Sequence, residues 1–423
     1  MSEVTLQQIL QAREDRALLQ KELLQAHKCP LICFTMNIAG PVKTSPLIRW
    51  GFQTGLDSLL AALPVLPRYK QARLLPTGCE GYLSVPLPAP ELKGICVRME
   101  EATPLGRLFD MDVIDINGKK LQRTTERACL ICGKPGRACA SRRLHSAEEL
   151  QAATEEIIVS ELAVQCLLRE AETTPKPGLV DRRNNGSHMD MNLRSFVSSA
   201  NALRPYFAQC VKIGQRTAQM LPKDTFRLLR QAGIRAEHTM LDATGGVNTH
   251  KGAIFTLGIL CGSIGRLGSC KTDDILCQVA RMGKEAEQDF AHANGDTAGE
   301  RLYLQENLRG IRGEVADGLP SAVNIGLPAY QDGLSKGLSP NDAGVMALLR
   351  LIANVKDTNL YHRGGADGAA WAAKAAQECL QTAAYPPLSL IEELDDAFIA
   401  RNLSPGGCAD LLAVTYFLHS LNL

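Results

Sequence analysis

The chain has 423 residues, and its 46 basic and 45 acidic side chains give a formal net charge of +1. This length predicts two or three domains, and the balanced charge argues against a general nucleic-acid or membrane-surface binder. A composition with 45% hydrophobic and 22% charged residues excludes a disordered or collagen-like chain. The 14 scattered cysteines predict free thiols or a metal site, and we expect neither a signal peptide nor a membrane span.

The first 150 residues mix helix and strand signals. A capping box at Thr5 and Gln8 begins an amphipathic helix over 5–26. Further apolar patterns predict a buried strand over 31–36, a helix over 48–63, and strands over 82–85, 94–99 and 108–116. Asn117-Gly118 predicts a hairpin turn into a return strand over 119–124.

After residue 146 nearly every segment is predicted to be helical. A capping box at Ser146 and Glu149 begins the first of these helices. They are predicted over 146–172, 191–220, 224–232, 251–267, 273–293, 297–307, 342–355, 369–382, 390–401 and 408–421. We therefore predict a multidomain protein, with a mixed α/β domain over 1–150 followed by an all-α domain over 151–423.

An acidic pair, Asp110 and Asp112, lies in the predicted strand over 108–116. Residues two apart on a strand face the same side, and adjacent carboxylates repel each other unless a cation separates them. The pair therefore suits Mg²⁺, which binds oxygen ligands and substrate phosphates. Gly106 would let the backbone approach a phosphate, and Arg107 could neutralise one. A solvated sheet edge is the alternative interpretation.

Four candidate zinc ligands lie in RACLICGKPGRACASRRLH, namely Cys129, Cys132, Cys139 and His145. A Cys-x2-Cys knuckle completed by a third Cys and a His would form a closed, structural site. Reduced thiols in a basic loop are the alternative. Several arginines surround the segment, and we interpret them as a docking surface for an acidic partner protein. These arginines are Arg123, Arg127, Arg137, Arg142 and Arg143.

Polar, glycine-marked loops separate the predicted helices of the second region. Their charged side chains are costly to desolvate unless they bind a ligand, so together they predict a polyphosphate site. One loop places Gly245, Gly246 and Asn248 before a helix that begins near Lys251, where free N–H groups can hold phosphate. For any single loop, surface caps and salt bridges are the favoured alternative, and we expect His250 and His362 to form loop hydrogen bonds.

Two further loops carry similar chemistry. Arg309 and Arg312 could clamp a phosphate, and Glu314 and Asp317 could hold Mg²⁺ or a ribose hydroxyl. The other loop offers a carboxylate, an amide and a guanidinium, from Asp357, Asn359 and Arg363.

Residues 1 to about 150 resemble the apo-citrate lyase phosphoribosyl-dephospho-CoA transferase family. The resemblance rests on FTMNIAGPVKTS at 34–45, on PLGRLFDMDV at 104–113 and on the Cys/His segment. It implies a nucleotidyltransferase-like domain that attaches a nucleotide-like group to a serine of the citrate lyase acyl carrier protein subunit, with release of pyrophosphate. It also implies that Asp110 and Asp112 bind Mg²⁺, and it makes Lys43 and Arg107 candidates for the triphosphate.

Residues from about 155 onward resemble the triphosphoribosyl-dephospho-CoA synthase family. The motifs are PKPGLVDRRNNGSHMDM, TGGVNTHKGAIF, RGIRGEVADGLP and LSPGGCADLLAVTYFL. The resemblance implies an all-helical enzyme that condenses ATP with 3′-dephospho-CoA and releases adenine. The whole chain would then be a fusion of two enzymes that act in succession on one prosthetic group.

The implied reaction gives roles to the polar loops. The 2′-hydroxyl of dephospho-CoA would attack the anomeric carbon of ATP, through a transition state that a carboxylate can stabilise. The candidate carboxylates, including a general base, are Asp181, Asp190, Glu314 and Asp357. The candidates for holding substrate phosphates are Lys176, Arg182, Arg183, Lys251, Arg309, Arg312 and Arg363, and Gly245, Gly246, Asn248 and Asn359 are further substrate-binding candidates.

Three alternatives remain open at this point. The malonate decarboxylase system uses a closely similar prosthetic group, so carrier specificity would separate it from citrate lyase. A zinc-stabilised adaptor could bind nucleotide or carrier without turnover. A nucleic-acid binder built on the basic Cys/His segment is disfavoured by the net charge and by an aromatic content of 5%. We expect a cytoplasmic enzyme with nucleotide substrates and one carrier-protein partner.

Overall fold

The computed structural model describes residues 3–268, 271–288, 295 and 298–422. The chain forms a first compact unit that ends at Glu161 and a second that extends from Leu162 to Asn422. The helices are α1 (Leu6–His27), α2 (Pro46–Ala62), α3 (Ala89–Ala102), α4 (Gly136–Ser141), α5 (Ala147–Glu172), α6 (Leu193–Ala202), α7 (Arg204–Arg216), α8 (Pro222–Thr244), α9 (Lys251–Leu267), α10 (Thr272–Glu287), α11 (Ala298–Glu306), α12 (Gly310–Ala316), α13 (Leu327–Ser335), α14 (Pro340–Asn354), α15 (Thr358–Gln381), α16 (Leu388–Ala400) and α17 (Gly406–Leu421). Our prediction of domains over 1–150 and 151–423 stays a prediction.

The first unit is built on a four-stranded antiparallel sheet. Its strands are β1 (Leu31–Met36), β2 (Tyr69–Leu75), β3 (Gly78–Ser84) and β4 (Phe109–Ile114), in the order β2-β3-β1-β4. The predicted bounds of β1 are confirmed, since an uninterrupted apolar run is typical of a central buried strand. Phe34 of β1 stacks on Phe52 of α2 with ring centroids 4.9 Å apart, which seals the core on this face.

Two predictions for the first unit need correction, and one strand was missed. Residues 94–99 lie in α3 and not in a strand, because Leu92, Ile95 and Cys96 have helical spacing and are buried on one face. The return strand over 119–124 is reduced to a bridge between Ile114 and Lys120, made by the backbone bonds from Leu121 to Val113 and from Asp115 to Lys119. Strand β2 was not predicted, because most of its side chains are exposed and the apolar alternation is weak.

The second unit is mostly helical, as predicted, and its core includes α9. The predicted bounds of this helix are confirmed. Glycines let α7 and α9 approach backbone to backbone: a Cβ on Gly214 would lie 2.1 Å from the carbonyl oxygen of Gly262. On the same interface, a Cβ on Gly265 would lie 2.1 Å from the carbonyl oxygen of Val211.

Several helix boundaries differ from the prediction. The segment 191–220 is two helices, α6 and α7, because Pro205 at the start of α7 lacks the N–H that a continuous helix needs. Helix α15 begins at Thr358, eleven residues before its predicted start, and is interrupted at Gly365, which has a φ of 65°. The end of the predicted helix over 273–293 lies outside the described residues.

Among the described residues no single helix is long and apolar enough to cross a membrane. Within the described ranges, α9 and α10 taken together are the one pair that meets the criteria of length and composition, and their axes differ by 115°.

Candidate active sites

A cleft of about 1230 Å³ in the first unit contains the predicted acidic pair. Asp110 and Asp112 alternate along β4 with the buried side chains of Phe109, Met111 and Val113, so both carboxylates face the cleft. Cations already neutralise them. Lys120 forms an ion pair with Asp112, and the guanidinium of Arg127 lies 3.5 Å from Asp110. The pair therefore faces a cleft, although β4 is an edge strand and Asp110 remains partly exposed.

A third carboxylate in this cleft, Glu100, was not predicted from the sequence. Glu100 lies on α3, is 3% exposed, and accepts a hydrogen bond of 2.8 Å from the backbone N–H of Met111. It forms ion pairs with Arg127 and, at 3.2 Å, with Arg123. Burial raises the pKa of Glu100 above its ordinary value. The adjacent Glu-Glu in the sequence suggests a solvated helix face, so no local pattern indicated this position.

Of the two residues predicted to bind the triphosphate, only Arg107 lines this cleft. Arg107 lines the cleft and donates hydrogen bonds to the carbonyls of Ala128 and Cys129, at 3.3 and 2.8 Å. Lys43 instead donates to the carbonyl of Ile38, and it is not one of the side chains that line the cleft. Gly106 serves packing, because a Cβ there would lie 2.3 Å from the carbonyl oxygen of Met99.

The four predicted zinc ligands do come together beside the cleft. The ligand atoms of Cys129, Cys132, Cys139 and His145 all lie within 4.8 Å of one another, so this Cys/His cluster could hold a metal ion. The Sγ atoms of Cys132 and Cys139 are 3.4 Å apart.

A separate cavity of about 1210 Å³ in the second unit collects most of the predicted loop residues. Basic, acidic and amide side chains line it together with apolar ones. The predicted residues in its lining are Lys176, Asp190, Asn248, Lys251, Arg309, Arg312, Glu314, Asp357, Asn359 and Arg363. These residues come from four separate polar segments of the sequence, which converge on one cavity.

Five predicted residues do not line this cavity. Asp181 is buried and accepts backbone N–H bonds from Lys176, Arg183 and Asn184, which shapes its own loop. Arg183 forms ion pairs with Asp395 at 2.5 Å and Asp396 at 3.1 Å. The remaining three are also engaged elsewhere: Arg182 pairs with Glu172 at 2.6 Å, and Gly245 and Gly246 end α8 with positive φ values of 69° and 95°.

Several cavity residues are already paired within the protein. Both oxygens of Asp357 are used, one by the N–H groups of Asn359 and Leu360 and the other by that of Cys408 at 2.7 Å. Glu314 accepts hydrogen bonds from the side chain and backbone of Ser321, at 2.6 and 3.1 Å. These contacts tie the loops to helix starts, so both carboxylates have a structural role irrespective of substrate.

The basic groups are held in place in the same way. Lys251 lies 3.0 Å from Glu237, while Arg309 pairs with Glu287 and Asp317. Arg363 donates to the carbonyl of Ser187 at 2.9 Å and to His188 Nδ1 at 3.1 Å. The amide oxygen of Asn248 accepts the N–H of Lys251 at 3.2 Å.

Two carboxylates in the cavity lining, Glu170 and Asp410, were not predicted from the sequence. Glu170 is buried and holds the ammonium of Lys176, which itself is 1% exposed. Asp410 lies on α17 and packs against the first turn of α9, where its carboxylate accepts a hydrogen bond from the backbone N–H of Ala253. Burial, and then the charges of Glu170 and Asp357, raise the pKa of Asp410 well above its ordinary value. Asp410 lies in the polar segment SPGGCADLL, but the sequence did not single it out, because a polar residue near the start of a helix usually caps that helix.

His250 lies in the same lining and precedes α9. Its Nδ1 forms a 2.7 Å hydrogen bond with the hydroxyl of Ser199, and Phe196 packs edge-on against its ring. Burial lowers the pKa of His250 to about 3, so the imidazole is neutral. The predicted loop hydrogen bond is therefore present, and it is made to a helix side chain.

Each unit thus contains a cavity in which carboxylates lie among arginines and lysines, as in enzymes that transfer phosphorylated groups. The chain belongs to the ATP:dephospho-CoA triphosphoribosyl transferase family, whose model matches residues 158–423, and residues 4–161 match the apo-citrate lyase phosphoribosyl-dephospho-CoA transferase family. It is a bifunctional transferase for triphosphoribosyl-dephospho-CoA synthesis and for transfer to apo-citrate lyase. This result favours citrate lyase over the malonate decarboxylase alternative.

Relatives match both the whole chain and its second region. Protein CitXG of Haemophilus influenzae is 35% identical, over 99% of this chain and 97% of that protein. Protein CitXG of Leuconostoc mesenteroides is 34% identical with the same coverage. A probable 2-(5''-triphosphoribosyl)-3'-dephosphocoenzyme-A synthase of Vibrio cholerae is 41% identical, over 62% of this chain and 88% of that protein.

Proposed function

We propose that the second unit makes the prosthetic group around Asp410 and that the first unit transfers it at Asp110 and Asp112. The order follows from the chemistry, because the product of ATP and 3′-dephospho-CoA is the substrate of the transfer. The observation that carries the proposal is that each unit has its own cavity with carboxylates facing into it. The regions 1–150 and 151–423 would then act as separate catalysts.

In the synthase step, the 2′-hydroxyl of dephospho-CoA forms a bond to the anomeric carbon of the ATP ribose, and the bond to adenine breaks. Positive charge develops on the ribose, and the hydroxyl proton has to be accepted. We assign both tasks to the region of Asp410, which has carboxylate neighbours and a raised pKa. Asp357 is less suited to either task because both of its oxygens bind backbone N–H groups.

The phosphates would be held by cavity residues that the sequence already indicated. Lys251, Arg309 and Arg312 line the cavity and lie at the starts of two different helices, α9 and α12. The ion pairs of Lys251 and Arg309 hold their side chains towards acidic partners, which a phosphate can replace. Lys176 is a structural cation in this proposal, since its ammonium is buried against Glu170.

In the transfer step, Asp110 and Asp112 are suited to Mg²⁺. The fit rests on their oxygen donors, which share one face of β4 and now bind the cations Arg127 and Lys120. Bound Mg²⁺ would stabilise the negative charge of the pyrophosphate leaving group. Arg107 lies at the same cleft, where it would contact the substrate phosphates. This arrangement supports the nucleotidyltransferase-like assignment of the first unit.

The partner in this step is the acyl carrier subunit, whose serine hydroxyl attacks the phosphorus and displaces pyrophosphate. Arg142 and Arg143 are exposed, and Arg143 also lies in the lining of the cleft. Acyl carrier proteins are typically acidic, so these arginines are well placed to orient the incoming serine.

The test follows both products by chromatography. Purified protein is incubated with ATP, 3′-dephospho-CoA and Mg²⁺, and free adenine is measured with and without dephospho-CoA. We expect adenine only when both substrates are present, and a modified carrier once the apo subunit is added. Absence of adenine while both nucleotides remain bound would contradict the proposal and would favour the adaptor alternative.

A further inference from the structure

The Cys/His cluster has the dimensions of a closed metal site. In a tetrahedral zinc site with Zn–S bonds of about 2.3 Å, ligand atoms lie roughly 3.7 Å apart. The four ligand atoms of the cluster lie within 4.8 Å of one another, and the Sγ atoms of Cys132 and Cys139 are 3.4 Å apart. Three thiols and one imidazole are a set that zinc binds well, and all four positions come from the protein.

The backbone around the first two cysteines is shaped like a zinc knuckle. The N–H of Gly133 donates to the carbonyl of Cys129 at 3.1 Å, and Gly133 has a φ of 70° that suits glycine. The N–H of Cys129 donates to the carbonyl of Lys134 at 2.6 Å, closing the turn. The thiols of Cys129 and Cys132 are therefore directed to one point by a short, hydrogen-bonded loop.

A second, independent observation concerns His145. Its Nε2 atom is buried and has no hydrogen-bond partner within the part of the chain that the structure describes. Buried polar atoms in proteins are normally paired, so an orphaned ring nitrogen beside three thiols indicates a missing ligand. The other ring nitrogen, Nδ1, lies 4.0 Å from a carboxylate oxygen of Glu149. Such an outer partner is common for metal-binding histidines.

We propose that Cys129, Cys132, Cys139 and His145 bind one Zn²⁺ ion, and that this ion holds one wall of the transferase cleft in place. Arg107 donates to the carbonyls of Ala128 and Cys129, which links the cleft to the knuckle. Gly136, within the cluster's loop, donates its N–H to the carbonyl of Arg127 at 2.9 Å.

The consequence for the cleft follows from these contacts. Arg127 reaches both Glu100 and Asp110, so the metal-bound loop positions the cation that faces the acidic pair. Loss of zinc would release this loop and disturb the transfer step. This consequence rests on the proposed transfer function, whereas zinc binding itself does not.

The first test is the metal content of the purified full chain, measured by inductively coupled plasma mass spectrometry. We expect about one zinc per chain in the wild type and a loss of most zinc in Cys132→Ser and in Cys139→Ser. Cys277→Ser is the matched control, because Cys277 is also an exposed thiol but lies on α10 in the second unit. Absence of zinc from the wild type, or full retention by the cluster variants, would overturn the proposal.

Cobalt substitution supplies a spectroscopic readout. Co²⁺ in place of zinc should give sulfur-to-cobalt charge-transfer bands and the strong visible bands of a tetrahedral site, and Cys132→Ser should weaken them. If mass spectrometry of protein purified without reductant instead finds a Cys132–Cys139 disulfide and no metal, the cluster is an oxidisable thiol pair and the zinc proposal is wrong.

The effect on the cleft is tested separately. Zinc is removed with a chelator, Mg²⁺ is restored in excess, and both half-reactions are followed. We expect carrier modification to fall at least tenfold while adenine release is unchanged, and added zinc should restore the transfer. Unchanged transfer in zinc-free protein would contradict the positioning role, whereas the metal content of the wild type decides whether zinc binds at all.

Discussion

Asp410 lies so close to Gly252 that a Cβ at residue 252 would be 1.9 Å from its Oδ2 atom. Only glycine at this position leaves space for a carboxylate over the first turn of α9. We expect Gly252→Ala to displace Asp410 and to lower the rate of adenine release at least tenfold. The control is Gly94→Ala in α3 of the first unit, where a Cβ would make an ordinary contact of 3.5 Å with the guanidinium of Arg98. Equal rates in both variants would show that the position of Asp410 is unimportant.

Asp410→Asn tests the catalytic assignment directly. If the carboxylate accepts a proton or stabilises positive charge, adenine release should fall by about 10²–10⁴-fold. The wild-type rate should rise with pH through the raised pKa of Asp410, because only the ionised form acts. Asp332→Asn is the control, since Asp332 is exposed and paired with Lys336. A pH profile identical in Asp410→Asn and the wild type would contradict the assignment.

The same variant should affect stability in the opposite direction. The pKa of Asp410 is raised in the folded state, so its contribution to folding is present at low pH and lost as pH rises through that pKa. Asparagine removes the ionisation. We therefore expect Asp410→Asn to raise Tm relative to the wild type at pH 8 by more than at pH 5. Thermal unfolding at both pH values measures this difference, and a lower Tm for the variant at pH 8 would be inconsistent with it.

Asp112→Asn should separate the two activities. Removing one of the two carboxylates that face the first cleft should abolish carrier modification, while adenine release in the second unit continues at its normal rate. Asp57→Asn on the exposed side of α2 serves as the matched control. Loss of both activities in Asp112→Asn would contradict two independent sites, provided that circular dichroism confirms a folded protein.

Arg142→Glu combined with Arg143→Glu should weaken carrier docking. Reversing two exposed positive charges should raise the KM for the carrier at least tenfold with little effect on adenine release, because the attraction to an acidic partner is lost. The control reverses two other exposed charges of the first unit, Lys70 and Arg98. An equal effect on both activities, or an equal effect of the control, would refute a local docking surface.

Lys176→Met should destabilise the protein, because Glu170 would keep a buried charge without its cation. Removing one partner of a buried pair typically costs about 3–5 kcal/mol in the free energy of unfolding. The double variant with Glu170→Gln should recover part of that loss. Denaturant unfolding of the three variants measures the coupling, and additive effects would indicate that the two residues do not form a pair.

The sequence predicted elements well where one local signal was strong. The apolar run of β1 and the glycine-marked start of α9 led to bounds that are confirmed. The sequence was less informative about residues whose interacting side chains lie far away along the chain. Glu100 and Asp410 are polar residues next to helix ends, and only the fold brings arginines or other carboxylates to them.

The sequence motifs also led us to predict more cavity residues than the structure shows, because some charged residues of a motif do not line the cavity. Asp181 and Arg183 lie in a conspicuous polar segment, but their hydrogen bonds and ion pairs shape the loop around Asn184 and Asp395. A charged loop needs internal partners to adopt one conformation, so some of its charges are used before any ligand binds. Sequence spacing alone does not separate these two uses.

The backbone contact between α7 and α9 has a consequence for substrate range. At Gly214 against Gly262 and at Gly265 against Val211, the backbones of α7 and α9 touch, so no side chain separates the two helices at these points. These contacts hold the position of the helix whose first turn brings Lys251 and Gly252 to the cavity. Enlarging the site for a bulkier nucleotide would more readily come from the loop before α12, which carries Arg309, than from a shift of α9.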